Sequence, residues 1–147
     1  MDSEEMKYDN DMDFTCIDLC DALNSLPDVE TFESCCGHLK TRYTVYLKTK
    51  NLYSMSVIAR VFDKRYSNTN VVWQTTIETL DTESNPQFCI GIYSERPFND
   101  YREMSDDVKH LCDNIKYWSS ECFYKYFKKQ TFKNLKSCKK NIFQKTI

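Results

Sequence analysis

Apolar residues recur along this chain in two rhythms, one of three and four residues and one of two. Cys16, Leu19, Cys20 and Leu23 step by three and four, so an amphipathic helix is predicted from Asp13 to about Ser25, opened by a Thr15/Asp18 capping box and ended by Pro27. Residues 29–35 then read as a strand. From Arg42 to Thr49 the period is two, with Tyr43, Val45 and Leu47 facing one way and Arg42, Thr44, Tyr46 and Lys48 the other, the pattern of a half-buried strand. Asn51 can cap a second helix whose apolar positions Leu52, Met55, Ile58, Ala59 and Phe62 carry it to about Tyr66.

Polar residues 67–70 form a loop, and residues 71–80 and 88–94, rich in β-branched and aromatic side chains, are predicted to pair as an antiparallel hairpin. A long helix is expected to open at Ser105-Asp106-Asp107 and to follow Val108, Leu111, Cys112, Ile115, Trp118, Cys122, Phe123 and Tyr126. The order helix, two strands, helix, two strands, helix predicts an α+β fold. It is a single two-layer domain over residues 13–127, with a mainly antiparallel sheet and helices on one face. Residues 1–12 lack apolar periodicity and are expected to be a mobile acidic tail. Residues 128–147 are expected to be a Lys-rich amphipathic helix or tail.

At 147 residues the chain has the size of one domain. Hydrophobic residues make up 41%, too many for a disordered chain, yet no apolar run is long enough to cross a bilayer. The first residues, Met1-Asp2-Ser3-Glu4-Glu5, are acidic where a secretory signal is basic and then apolar, which predicts a soluble cytoplasmic protein in a reducing compartment. Eight cysteines are therefore read as thiols, several of them packed as small hydrophobes on the helical stripes. The net charge of −2 hides an acidic stretch over residues 1–33 and a basic end, where residues 122–147 carry lysines from Lys125 to Lys145 and no acid. Those complementary ends allow a homo-oligomer, or contact between the basic end and nucleic acid. Only two glycines, with many Lys, Asn, Ile and Tyr, fit an AT-rich bacterial or phage gene.

One stretch concentrates chemistry: Thr31-Phe32-Glu33-Ser34-Cys35-Cys36-Gly37-His38, where a strand breaks at a glycine and delivers two thiols and an imidazole. The run Ile17-x-Leu19-x-x-x-Leu23-Asn24-Ser25-Leu26-Pro27, followed by Ser34-Cys35-x-Gly37-His38 and a strand, resembles small uncharacterised bacterial and phage proteins with an "LN…SCxGH" signature. More distantly it resembles the start of the methyltransferase-like proteins of wybutosine synthesis. Ser34, Cys35 and Gly37 match the latter's Ser-Cys-Ser-Gly-Arg, while Cys36 stands at its second serine and His38 at its arginine. The second resemblance implies RNA methyl transfer; the first implies no particular activity.

Four readings of the cluster are open. Cys35, Cys36 and His38 are zinc-ligand types, but the paired-ligand spacing of structural zinc sites is absent, and Cys89 or His110 would have to complete the set, so no metal is assigned. Cys36 and His38 can serve as nucleophile and base in a transferase or hydrolase, although residues two apart on one turn rarely bring their side chains together. A packing role is the third, with no small-molecule site and a part in protein interaction. The fourth is preferred, because no complete acid, base and nucleophile set can be assembled. Ser34, Cys36, Gly37 and His38 at the turn, with Arg42 and Tyr46 on the next strand, form a binding site for an anion such as a nucleotide or nucleic acid. Lys48, Gln74 and Tyr93 extend the same open sheet face, where phosphate contacts and stacking combine. The pattern names no cofactor.

Overall fold

The computed structural model describes residues 14–80, 87–120 and 129. Its elements are α1 (Ile17–Asn24), β1 (Glu30–Cys35), β2 (Thr44–Lys48), α2 (Leu52–Val61), β3 (Trp73–Leu80), β4 (Gln87–Ser94) and α3 (Tyr101–Trp118), with single 3₁₀ turns at Phe14–Cys16 and Gly37–Leu39. The strands form one sheet in the order β1-β2-β4-β3, every neighbouring pair antiparallel. The fold is thus α+β, as the element order predicts. Because β4 is antiparallel to both its neighbours, β2 and β3 run in the same direction. α2 carries the chain between them, and β4 is inserted last.

The period-two pattern of β2 is realised in full: Tyr43, Val45 and Leu47 are sealed from solvent and, with Ile92 and Trp73, meet the helical layer. Tyr43, Trp73 and Phe98 pack edge to face or tilted at 5.2–6.3 Å between ring centroids, which locks the sheet to the loop before α3. α3 packs against both α1 and α2. Among the described residues no helix is long and apolar enough to cross a membrane.

The boundaries of all three helices depart from the sequence pattern, three of them for a local reason. At α1 the helix begins after Cys16 with no side-chain cap. Thr15 is taken up in the preceding 3₁₀ turn, where its carbonyl accepts the Tyr43 hydroxyl at 3.0 Å. In α2 the Asn51 cap is made, accepting Ser54 N–H at 3.0 Å, but the buried stripe is Tyr53, Ser54, Val57, Ile58 and Val61, while Leu52 and Ala59 face solvent. The Ser54 hydroxyl, donating to the Pro27 carbonyl at 2.5 Å, rotates the helix into that phase. The helix ends at Val61, a turn earlier than predicted. In α3 the cap is Asp100, accepting Glu103 N–H at 2.8 Å, so the helix starts a turn before Ser105. At its other end α3 stops at Trp118 with Ser119 as its cap, short of the predicted run to Tyr126; residues 121–126, the tail at residues 1–12 and, but for Lys129, the Lys-rich segment 128–147 lie outside the described residues.

Asp107, expected as a solvated first-turn acid, is instead buried in the middle of the helix. Its carboxylate accepts the Asn70 and Val71 amides at 2.6 and 3.0 Å and the Trp73 indole N–H at 3.4 Å, pinning the loop before β3 onto α3. Asp107→Asn keeps the shape but points an NH₂ at one of these donors. It should cost roughly 2–4 kcal/mol, because a buried donor then loses its partner. Denaturant unfolding measures the loss; a change within experimental error would show that the carboxylate does not hold the loop.

Candidate ligand-binding face

The turn after β1 is built on three successive left-handed residues, Gly37 (φ +80°), His38 (φ +51°) and Leu39 (φ +65°). Such backbone costs a side-chain-bearing residue about 1–2 kcal/mol, and here it is held by the Lys40 and Thr41 amides, which both donate to the Gly37 carbonyl at 2.9 and 3.0 Å. Gly37 is required twice over, since a Cβ there would also stand 2.8 Å from the Arg42 carbonyl oxygen. The tight curl brings Cys36 and His38 together despite their spacing. The Cys36 sulfur accepts the His38 amide at 3.3 Å and lies 3.7 Å from His38 Nδ1.

That thiol is 1% exposed, so it faces the core while His38 stands in solvent. Ser34 points to the helical layer, where its hydroxyl bonds the Cys20 thiol. Cys35 receives the Gly37 amide at 3.4 Å. The two neighbouring thiols thus serve different surroundings. Among the described residues no group of three His, Cys, Asp or Glu side chains is placed to hold a metal ion, and no disulfide joins the six cysteines.

Arg42 and Tyr46 belong to a different surface. Both lie on the sheet face away from the helices, where they join a strip of three rings with a cation at each end, running along β2. Arg42 sits 4.9 Å above the Tyr93 ring; Tyr93 meets Tyr46 edge-on at 5.8 Å; Tyr46 meets Phe32 at 6.2 Å; and the Lys48 ammonium lies 5.1 Å over Phe32. Arg42 and Lys48 are six residues apart on an extended chain, so the strip is about 20 Å long. Among the described residues neither cation forms an ion pair.

A hydrogen-bonded chain lies under the strip. Tyr93 OH is 2.7 Å from Glu78 Oε2 and 2.8 Å from Tyr46 OH. A phenol has one proton to give, and the carboxylate is the stronger acceptor, so Tyr46 donates to Tyr93 and Tyr93 to Glu78. Burial, followed by the hydrogen bond to Glu78, pushes the Tyr93 phenol well above its ordinary value. The ring can lie flat across β4 because residue 91 is glycine: a Cβ there would be 2.8 Å from Glu78 Oε2 and from the Tyr93 ring and hydroxyl. The chain has two glycines in all, and both border this region.

The six residues singled out by sequence therefore divide. Cys36, Gly37 and His38 build the turn, Ser34 packs inward, and Arg42 and Tyr46 open the aromatic strip, which begins where the turn ends. Phe32, Glu78 and Gly91 complete the strip and carry no signal in a linear reading; only the strand order brings them to Tyr46 and Tyr93. Comparison with protein-family models, with curated proteins and with solved structures finds no match to this chain.

The two glycines give separable outcomes. Gly37→Ala meets backbone in a left-handed conformation and should lower stability by about 1–3 kcal/mol. Gly91→Ala meets only side-chain tips, so it should leave the fold closer to wild type while parting Tyr93 from Glu78. The Tyr93 phenol should then ionise at lower pH in a spectrophotometric titration. An unchanged tyrosine titration in Gly91→Ala would show that the chain does not depend on that missing methyl.

Stability should also respond to alkali in a defined direction. Tyr43, raised chiefly by burial, and Tyr93 both ionise less readily folded than at the ordinary value of 10.0. Burial raises the Cys20 and Cys112 thiols above their ordinary value of 9.0 in the same way. A raised folded value stabilises fully below the unfolded one and is lost above it, so the folding free energy should be level through neutral pH, begin to fall above about pH 9 and fall further above about pH 10. Stability that rises with alkali would contradict the burial of these phenols.

Proposed function

We propose that this domain is a binding module for an anionic ligand that carries a flat ring, a nucleotide or a short stretch of single-stranded nucleic acid, taken up on the face between the Ser34–His38 turn and Lys48. The observation that carries this reading is the Arg42–Tyr93–Tyr46–Phe32–Lys48 strip. Exposed Phe32 and half-buried Tyr46 offer stacking surface on a buried Tyr93 base, and a cation at each end offers phosphate contacts. His38, exposed beside Arg42's end of the strip, adds a third donor. The acidic groups nearby are partly occupied, since Glu78 accepts from Tyr93. The fit to nucleotides rather than to simple anions lies in the rings. A lysine-rich C-terminal end supplies further phosphate contacts in the same reading, in a cytoplasmic protein with reduced thiols.

The Cys36–His38 contact favours a second reading, an enzyme using that pair. The burial of the thiol weighs against it, because a substrate atom would reach sulfur only after the turn opens.

A thermal-shift series over nucleotides and short oligonucleotides tests the proposal. At a hundred times its dissociation constant a ligand adds about 2.7 kcal/mol, a shift of several degrees for a domain of this size. Arg42→Ala should abolish the shift while lowering the unliganded midpoint by no more than a few degrees, since an exposed guanidinium over one ring is worth about 0.5–2 kcal/mol. No shift with any nucleotide or oligonucleotide, or a shift that survives both Arg42→Ala and Lys48→Ala, would sink the reading. Consumption of a ligand that stops in Cys36→Ser while the ligand's thermal shift persists would establish the enzymatic alternative.

A further inference from the structure

The two edges of the sheet are built differently. β1 carries a bulge between Thr31 and Glu33 and presents Glu30 and Glu33, devices that stop a sheet from growing. β3 has no bulge and a single acid, Glu78. Its eight residues run in unbroken register with β4, contain no proline, glycine or lysine, and expose Gln74, Thr75, Thr76, Ile77 and Thr79. Among the described residues no strand lies on its outer side.

The same end of the hairpin exposes its largest apolar groups. Ile77 is 78% and Phe88 72% exposed, and the register, with Ile77 opposite Ile90 and Thr79 opposite Phe88, makes them diagonal neighbours on one face. They lie on the side of the sheet that the helices cover elsewhere, beyond the reach of that layer.

We infer that β3 pairs antiparallel with β3 of a second copy, forming a two-fold dimer with a continuous eight-stranded sheet. The occupant is a second copy because the strand is complementary to itself. With the axis at Ile77, the two Ile77 side chains stand directly opposite each other. Thr75 faces Thr79 of the second copy, and Glu78, the one charged side chain in the strand, faces Thr76, whose hydroxyl can donate to it. No like charges stand directly opposite each other, the two Glu78 carboxylates being diagonal neighbours that the Tyr93 hydroxyls draw inward, and Thr–Thr and aliphatic pairs are favoured cross-strand neighbours. Residues directly opposite in an antiparallel pair share a face, so the two open faces join on the same side. The Arg42–Lys48 strips of the two copies then lie five strand spacings apart, about 24 Å. Dimerisation itself requires no ligand on either strip.

Sedimentation and light scattering of the full chain across a dilution series test the pairing. The expected result is a monomer of 17.5 kDa in equilibrium with a species of twice that mass. Ile77→Lys sets two lysines face to face and should leave only monomer, with a thermal midpoint that no longer depends on protein concentration and equals that of the dilute wild-type monomer. Ile77→Cys should form an interchain disulfide under mild oxidation, since directly opposed Cα atoms about 4.5–5.5 Å apart fall within disulfide range. Thr76→Cys, offset from the axis, should cross-link far less. A chain that stays monomeric throughout, or a dimer that survives Ile77→Lys and fails to cross-link through Ile77→Cys, would overturn the inference. A peptide captured by the β3 edge of a strictly monomeric protein would likewise replace it.

Discussion

The side chains of a strand must alternate between faces, and β2 turns that constraint into a division of labour for the whole domain. Tyr43, Val45 and Leu47 go into the core, where Tyr43 joins three parts of the chain. Its ring packs on Trp73 and Phe98, its hydroxyl donates to the Thr15 carbonyl, and its amide donates to Ser94 Oγ. The intervening residues Thr44, Tyr46 and Lys48 are left for the other face. A shift of one residue in register would exchange the two sets, removing the core and the aromatic strip together. The fold and the candidate site therefore stand or fall on the same pairing.

The turn before β2 makes a related contribution. Three left-handed residues in succession are unfavourable alone, yet they return the chain sharply enough that the Arg42 carbonyl packs against Gly37, while the Arg42 side chain reaches the open face. The sulfur of Cys36 stabilises this curl by accepting the His38 amide from within. Cys36 is thus explained by the shape it supports, and a hydroxyl or methyl in its place would alter the turn that aims Arg42. The short distance to the imidazole follows from the same curl.

Period and capping made much of this architecture legible in the sequence. The alternation of β2, the Asn51 cap and the β3–β4 hairpin are local properties, readable within a few residues. Asp107 was not readable, because its role depends on donors 34–37 residues away in sequence. The phase of α2 was misjudged for a similar reason: Leu52 has the hydrophobicity of a core residue, but the bond from Ser54 to Pro27 sets which side faces inward. Arg42, Tyr46, Lys48 and Tyr93 were legible as open-face residues, whereas their stacking order was not. It depends on β4 lying beside β2 although α2 and β3 separate them in the chain.

The contrast between Glu78 and Glu33 extends this point to the edges of the sheet. Both are acids on edge strands, and composition alone makes them equivalent. Glu33 adjoins a bulge that already interrupts its edge, so it sits where pairing is discouraged. Glu78 adjoins no irregularity, and its carboxylate is drawn inward by the Tyr93 hydroxyl, away from the free edge of β3. An acid held in this way repels an approaching strand less than a solvated one would, since part of its charge is already balanced by a donor. The hydrogen-bonded chain under the aromatic strip thereby shapes the outer edge of β3 as well as the open face. The missing methyl of Gly91 permits both effects.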